Sequence, residues 1–260
     1  MRKVAIFNNV LEENYMRKLL SLMLCVAIFI LSFGVVACKS DSGNASQQQI
    51  KASTSNKNSD KDSELKKYIA LAKEADKKVG KGTEYESFKW WRKAAELGDI
   101  EAQYQVGQSY FLGFRAEQDI KQALYWLSRP AQEGHAEAQF KVGYIYDEYY
   151  NDFDKAFQWY NKAAQQGHAE AQYHLAQCYE EGIGTKKNEK EAFNLYKKLT
   201  EQGHAFALLS LADCYRKGTG VSKNNIKAKE LYEKALKNED TAGFAKIELD
   251  EMKEEKNNNS

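Results

Sequence analysis

Three histidines, His135, His168 and His204, each follow a glycine and are separated by 33 and 36 residues. Imidazole is a common zinc ligand, but side chains one repeat apart are too far from each other to share an ion held by bonds of about 2.0 Å. They are expected near helix starts instead. Cys178 and Cys214 are also 36 residues apart, and an oxidising compartment would permit them to pair. Equivalent positions on successive helices lie about 8 to 10 Å apart at the axes, beyond a disulfide's reach. Core packing is the better reading, since Ser109 and Ile145 fill the same column in other copies. Ser63-Glu64-Leu65-Lys66 has the Ser-x-x-Lys spacing in which lysine can activate a serine for acyl transfer. The companion motifs Ser-Asp-Asn and Lys-Thr-Gly are absent, and Ser63 follows a polar tract, so it reads as a helix N-cap. The chain has no phosphate-cradling Gly-x-x-x-x-Gly-Lys-Ser/Thr either. No catalysis, cofactor or metal is expected.

What positions these residues is a repeat. Gly98, Gly134, Gly167 and Gly203 recur at spacings of 36, 33 and 36, and a unit that short must stack on copies of itself to bury an apolar face. Aligned on these glycines, the chain divides into a partial unit at 63–99 and full units at 100–135, 136–168, 169–204 and 205–240. Ala102, Ala138, Ala171 and Ala207 form one column, Tyr110, Tyr146, Tyr179 and Tyr215 a second, and Ala123, Ala156, Ala192 and Ala228 a third. Three residues after that third column come Trp126, Trp159, Leu195 and Leu231, with Trp90 in the partial unit. Ala102, Val106, Gly107 and Tyr110 share one helical face, and Ala156, Trp159, Tyr160 and Ala163 share another, so each unit is predicted to hold two helices. Gly167 stands where a helix C-terminus favours positive φ. Glycine loops at 181–185 and 217–221 permit a tight reversal between the two helices.

The pattern Gly-His-Ala-Glu-Ala-Gln-Tyr-x-Leu-x-x-x-Tyr-x-x-Gly-x-Gly, followed by Lys-x-Ala-x-x-Trp/Leu-Tyr-x-Lys-Ala-Ala-x-x-Gly, resembles the Sel-one-like repeat, a relative of the tetratricopeptide repeat. The match covers 100–240 fully and 63–99 loosely. The resemblance implies an all-α, right-handed α-α superhelical solenoid of about four full repeats, a partial N-terminal one and a C-terminal capping helix from 241 onward. It also implies a scaffold that binds other macromolecules without chemistry of its own. Some cysteine-rich members have been described as β-lactamases, but this chain lacks their paired cysteines. Two loops depart from the pattern. The 136–168 unit lacks the glycine loop and three residues, and 112–115 keeps only Gly113. Pro130 replaces the Ala163 column and is expected to kink its helix.

Arg17 and Lys18 precede an apolar run at 19–36, and Val35-Val36-Ala37-Cys38 then meets an abruptly polar tract. This is the layout of a secretory signal, and its end resembles a bacterial lipobox. Residues 1–37 are therefore expected to be a signal peptide, with Cys38 the lipidated residue. Glu12 and Glu13 sit awkwardly in such a segment, so translation is expected to start at Met16, a long n-region being the alternative; an ordinary signal peptide and an uncleaved anchor helix are the alternatives to lipidation. Acyl chains contribute about 0.8 kcal/mol per buried methylene, enough for lasting anchorage. Lys39 after the cysteine resembles the outer-membrane sorting pattern, giving an expected location in the cell envelope, outer membrane facing the periplasm. Residues 38–62 have Ile50 as their only large apolar side chain and are expected to be a disordered tether, reaching on the order of 25 to 30 Å. The solenoid is expected over 63–252, with a disordered tail at 253–260. Residues 1–37 hold Arg2, Lys3, Arg17, Lys18, Glu12 and Glu13, and without them the 38 basic and 37 acidic side chains become 34 and 35. Near-neutrality argues against nucleic acid, which needs a basic stripe.

Function is then expected to reside in a surface. Polar columns of the first helices give Gln105, Lys141, His174 and Ser210, and Gln108, Tyr144, Gln177 and Asp213. Tyr149, Tyr150 and Phe153, with Phe111 and Phe114 from the preceding unit, make a candidate aromatic patch for a peptide or sugar; equally, they could close the gap left by the missing residues. The expected function is a lipid-anchored envelope scaffold that binds a protein of the envelope or of a host. A polysaccharide-export or peptidoglycan-associated scaffold is the alternative, and a β-lactam-hydrolysing or penicillin-binding protein the more distant one.

Overall fold

The computed structural model describes residues 43–78 and 83–258. The expected signal segment and Cys38 lie outside them. Two compact units divide at residues 58 and 59, and the repeats fall in the second. The described residues are helical: α1 (Gly43–Asp76), α2 (Thr83–Glu96), α3 (Ile100–Leu112), α4 (Ile120–Gln132), α5 (Ala136–Glu148), α6 (Phe153–Gln165), α7 (Ala169–Glu181), α8 (Glu189–Glu201), α9 (Ala205–Lys217), α10 (Asn225–Ala235) and α11 (Glu239–Asn258). Each of α3 to α10 packs on the next helix in sequence, giving four stacked hairpins closed by α11, a helical repeat solenoid as expected.

Local signals set the helix ends. Asp99, Asp119, Asp152, Asn188 and Asn224 each accept a hydrogen bond from the backbone N–H three residues on, satisfying one of the donors a helix start leaves unpaired. Gly167 has φ +87°, as the sequence predicted. The columns are buried: Ala102, Ala138, Ala171 and Ala207 are 0 % exposed, and the Ala123 column is at most 1 % exposed. Small residues here let the helices approach. A Cβ on Gly143 would lie 2.9 Å from the Tyr160 ring. Contact between hairpins is closer still at Gly184, whose added Cβ would lie 2.1 Å from the Phe153 carbonyl oxygen, and Gly220 meets Glu189 in the same way. In the first hairpin that position is Arg115, which pairs with Asp76 at 2.7 Å. Asp76 also accepts from the Ser87 hydroxyl and from Trp91 Nε1.

The Ser63 cap, the tether and the tail are corrected. Ser63 is not an N-cap, because α1 begins at Gly43 and Ser63 lies exposed in its interior. Residues 43–62, read as a tether, belong to that helix; nothing between 44 and 76 is glycine or proline, so nothing interrupts it. The expected tail is helical through Asn258. Pro130 is buried inside α4, which continues to Gln132. In the 136–168 hairpin, Asn151 takes positive φ in place of a loop glycine. Cys178 and Cys214 are buried free thiols, and burial pushes both up to about 12.

Candidate docking surface

The three histidines prove to be helix caps. His135, His168 and His204 accept through Nδ1 from Ala138, Ala171 and Ala207 N–H, each at 3.2 Å. Each ring also stacks on an aromatic side chain of the preceding hairpin: Tyr104 on His135 at 4.4 Å, Phe140 on His168 at 4.8 Å and Tyr173 on His204 at 5.1 Å. His168 Nε2 lies 2.7 Å from Glu137, which also pairs with Lys141 at 3.0 Å. Burial would raise the Glu137 pKa, but hydrogen bonds from His168 and Lys141 outweigh it and hold the carboxyl below its usual range. One imidazole thus ends a helix and fastens one hairpin to the next.

A second ladder runs inside the hairpins. Tyr160 donates to Asp147 at 3.0 Å and Tyr196 to Glu180 at 2.9 Å. Burial, then the negative charge of the acceptor, raises both phenols far above their usual range, so both remain donors. In the last hairpin the position of Glu180 is Arg216, which instead reaches Glu248, Glu251 and Glu255 of α11. Tyr232 donates to Asp213, one turn earlier. In the first hairpin both members change: Leu127 replaces the tyrosine and Phe111 the acid.

Phe111, freed from that role, is half-buried against the core cluster that holds Leu127 and lines a groove between the first two hairpins. It meets Tyr144 edge-on at 5.9 Å and Tyr149 at 6.5 Å, and Lys141 Nζ lies 5.7 Å from its ring centroid. These four, with Leu112, Gln118 and Phe140, line a groove of about 280 Å³. Gln105, Gln108 and Phe114 line a neighbouring depression with Leu112 and Arg115. Leu112, Phe114, Tyr149, Tyr150 and Phe153 are all exposed large apolar side chains, from 41 % for Phe153 to 60 % for Phe114.

The structure therefore brings Phe111, Lys141, Tyr144 and Tyr149 into one groove and Gln105, Gln108 and Phe114 beside it. Tyr150 packs on Tyr146 at 5.9 Å, and Gln177 is half-buried on α7. His174 and Asp213 are already engaged. His174 stacks on Tyr160 at 5.0 Å and touches Phe140, Tyr144 and Tyr173; burial outweighs the pull of Asp147 and Glu170 and lowers its pKa. Asp213 holds Tyr232 and Lys217. Phe140, at the centre of this aromatic cluster, escaped the sequence reading. The signal was there: the Tyr104, Phe140, Tyr173 column becomes Leu209 in the copy that closes on Asp240 where the others close on histidine.

The Sel1 repeat model matches residues 84–99, 100–135, 136–168, 169–204 and 205–240, and the chain belongs to the Sel1 repeat family. It is similar to a Sel1 repeat protein of Oxalobacter formigenes, with 31 % identity, TM-score 0.59, and coverage of 67 % of this chain and 73 % of that one. It is also similar to c5321, a protective antigen of uropathogenic Escherichia coli strains displaying the SLR fold, with 26 % identity, TM-score 0.64 and coverage of 82 % of this chain. The chain spans just under half of that antigen, 46 %. A search of curated proteins finds no match. Sel1 repeat proteins generally mediate protein–protein contact, and the scaffold family is generally non-catalytic. Ser63 and Lys66 lie exposed on α1.

Proposed function

We propose that this chain is a lipid-anchored scaffold of the cell envelope that binds a protein partner through the aromatic groove between its first two hairpins. The observation that carries the reading is the groove between the first two hairpins, lined by Phe111, Tyr144 and the exposed Leu112 and Tyr149, with the exposed Phe114 in the depression beside it. Solvated apolar area of this kind is costly and marks contact surfaces. Anchorage at Cys38 rests on the signal-like segment that precedes it. Among the described residues no helix is long and apolar enough to cross a membrane.

Photo-crosslinking from position 149 of the full-length chain in intact cells is expected to capture protein, and Cys38→Ser to release the chain from the membrane fraction. Adducts to murein without any protein adduct would overturn the protein reading in favour of the glycan one. A Cys38→Ser chain that stays in the membrane would overturn the anchor.

A further inference from the structure

The first helices of successive hairpins end differently. α3 ends in Phe111-Leu112, α5 in Asp147-Glu148, α7 in Glu180-Glu181 and α9 in Arg216-Lys217. A helix C-terminus carries partial negative charge, so acidic residues there oppose the dipole and basic ones complement it. α9 follows that rule; α5 and α7 have no basic residue in the last turn and two acids each. Asp147 and Glu180 have internal work, accepting from Tyr160 and Tyr196. Glu148 and Glu181 do not: both are exposed, and among the described residues neither forms an ion pair. Of the lysines on the adjoining helices, Lys141 pairs with Glu137, Lys155 with Asp152 and Lys217 with Asp213. The charge of Glu148 and Asp147 reaches the groove wall, where after burial it adds to the raised pKa of Tyr144. Folding alone gives no reason for these two glutamates, whereas a cation brought by a partner would offset both.

We infer that the groove takes an extended segment of a partner protein that seats an apolar side chain against Phe111, Tyr144 and Tyr149 and lays lysine or arginine residues over Glu148 and then Glu181. This rests on the proposed protein-binding role and adds the chemistry of the bound segment. The acids are one repeat apart along the stack, so the basic residues follow the anchor in the direction of α7. Side-chain cations so placed gain from the opposing helix ends as well as from the carboxylates.

Fluorescence anisotropy with the full-length chain tests the inference. The probe is a labelled twelve-residue peptide in a glycine-serine background, with a leucine-tryptophan pair followed by two spaced lysines. It is expected to bind at least tenfold more tightly than its analogue with glutamate for lysine, with the gap narrowing as salt rises from about 50 to about 500 mM. Replacing leucine-tryptophan by serine, or Tyr149→Ala in the protein, is expected to abolish binding. Glu148→Lys with Glu181→Lys is expected to reverse the preference, and the milder Glu148→Gln with Glu181→Gln, at exposed sites that leave the fold intact by circular dichroism, to erase it. Equal binding of the two peptides, binding of neither, or a preference that survives both double variants would overturn the inference. Crosslinked protein partners whose captured segments lack basic residues would sink it while leaving the protein-binding role intact; the absence of any protein adduct would sink that role itself.

Discussion

The hairpins at 100–135 and 169–204 share a backbone plan and differ in what joins their helices. In the later one, Tyr196 donates to Glu180 and Gly184 rests against the Phe153 carbonyl of the hairpin before it. In the earlier one, Leu127 and Phe111 form an apolar seam, and Arg115 reaches Asp76 where glycine would have touched backbone. In the first hairpin both members of the tyrosine–acid pair change together. The substitution of tyrosine and acid by leucine and phenylalanine keeps a buried hydroxyl from losing its acceptor, and it turns the helix end into an apolar lip. The difference teaches that one hairpin gave up polar self-satisfaction and gained a contact surface.

The contrast breaks most sharply at the glycine position. Gly184→Ala places a Cβ at φ +65° into the Phe153 carbonyl and is expected to cost about 3 kcal/mol, lowering the melting temperature by roughly 6 to 12 °C. Arg115→Ala, at the matching position, is expected to cost no more than about 1 kcal/mol, since its ion pair is partly solvated. Equal losses in thermal melts would show that the two junctions are not built differently.

Exchanging the seam gives the next effect in size. Leu127→Tyr alone is expected to destabilise by about 1 to 3 kcal/mol, and adding Phe111→Asp is expected to recover at least about 1 kcal/mol by supplying the acceptor. Tyr160→Phe, the reverse change, is expected to cost about 1 kcal/mol. Strict additivity in the cycle would refute the coupled pair.

The smallest effect concerns the column that holds Ser109 in the first hairpin and Cys178 and Cys214 in later ones. Burial lifts both thiols to about 12 from the ordinary 9.0, so the fold favours the neutral form. That contribution stands below the ordinary value and is lost as pH rises from about 9 toward about 12. At pH 8 these two are expected to resist alkylation in the native chain and to label fully in denaturant, read by peptide mass mapping. Rapid native labelling would contradict the burial. Cys178→Ser with Cys214→Ser is expected to flatten the alkaline loss.

Much of this fold is written in the spacing of small residues. Ala102, Ala123 and their counterparts are legible because each contact between helix axes needs a side chain that does not fill it, and the need recurs with every hairpin. The groove was half legible: Phe111, Tyr144 and Tyr149 stand out as aromatic residues at loop ends, whereas Phe140 was hidden inside a helix whose column had to be compared with the histidine of the next hairpin. Lys141, His174 and Asp213 look like free polar residues in one dimension, because the groups that occupy them come from other turns or other helices. The start of α1 was illegible for another reason. A hydrophilic stretch without proline or glycine carries no boundary that amino-acid type alone reveals.

The two kinds of junction also differ in compliance. At Gly184 and Gly220 main chain rests on main chain, which has no rotamer to yield, so successive hairpins there are fixed in pitch. At Arg115 the bond to Asp76 passes through a long side chain that can swing without breaking. Bending of this stack is therefore expected to concentrate at the Arg115 junction, beside the aromatic lip, where a segment being captured would feel the give.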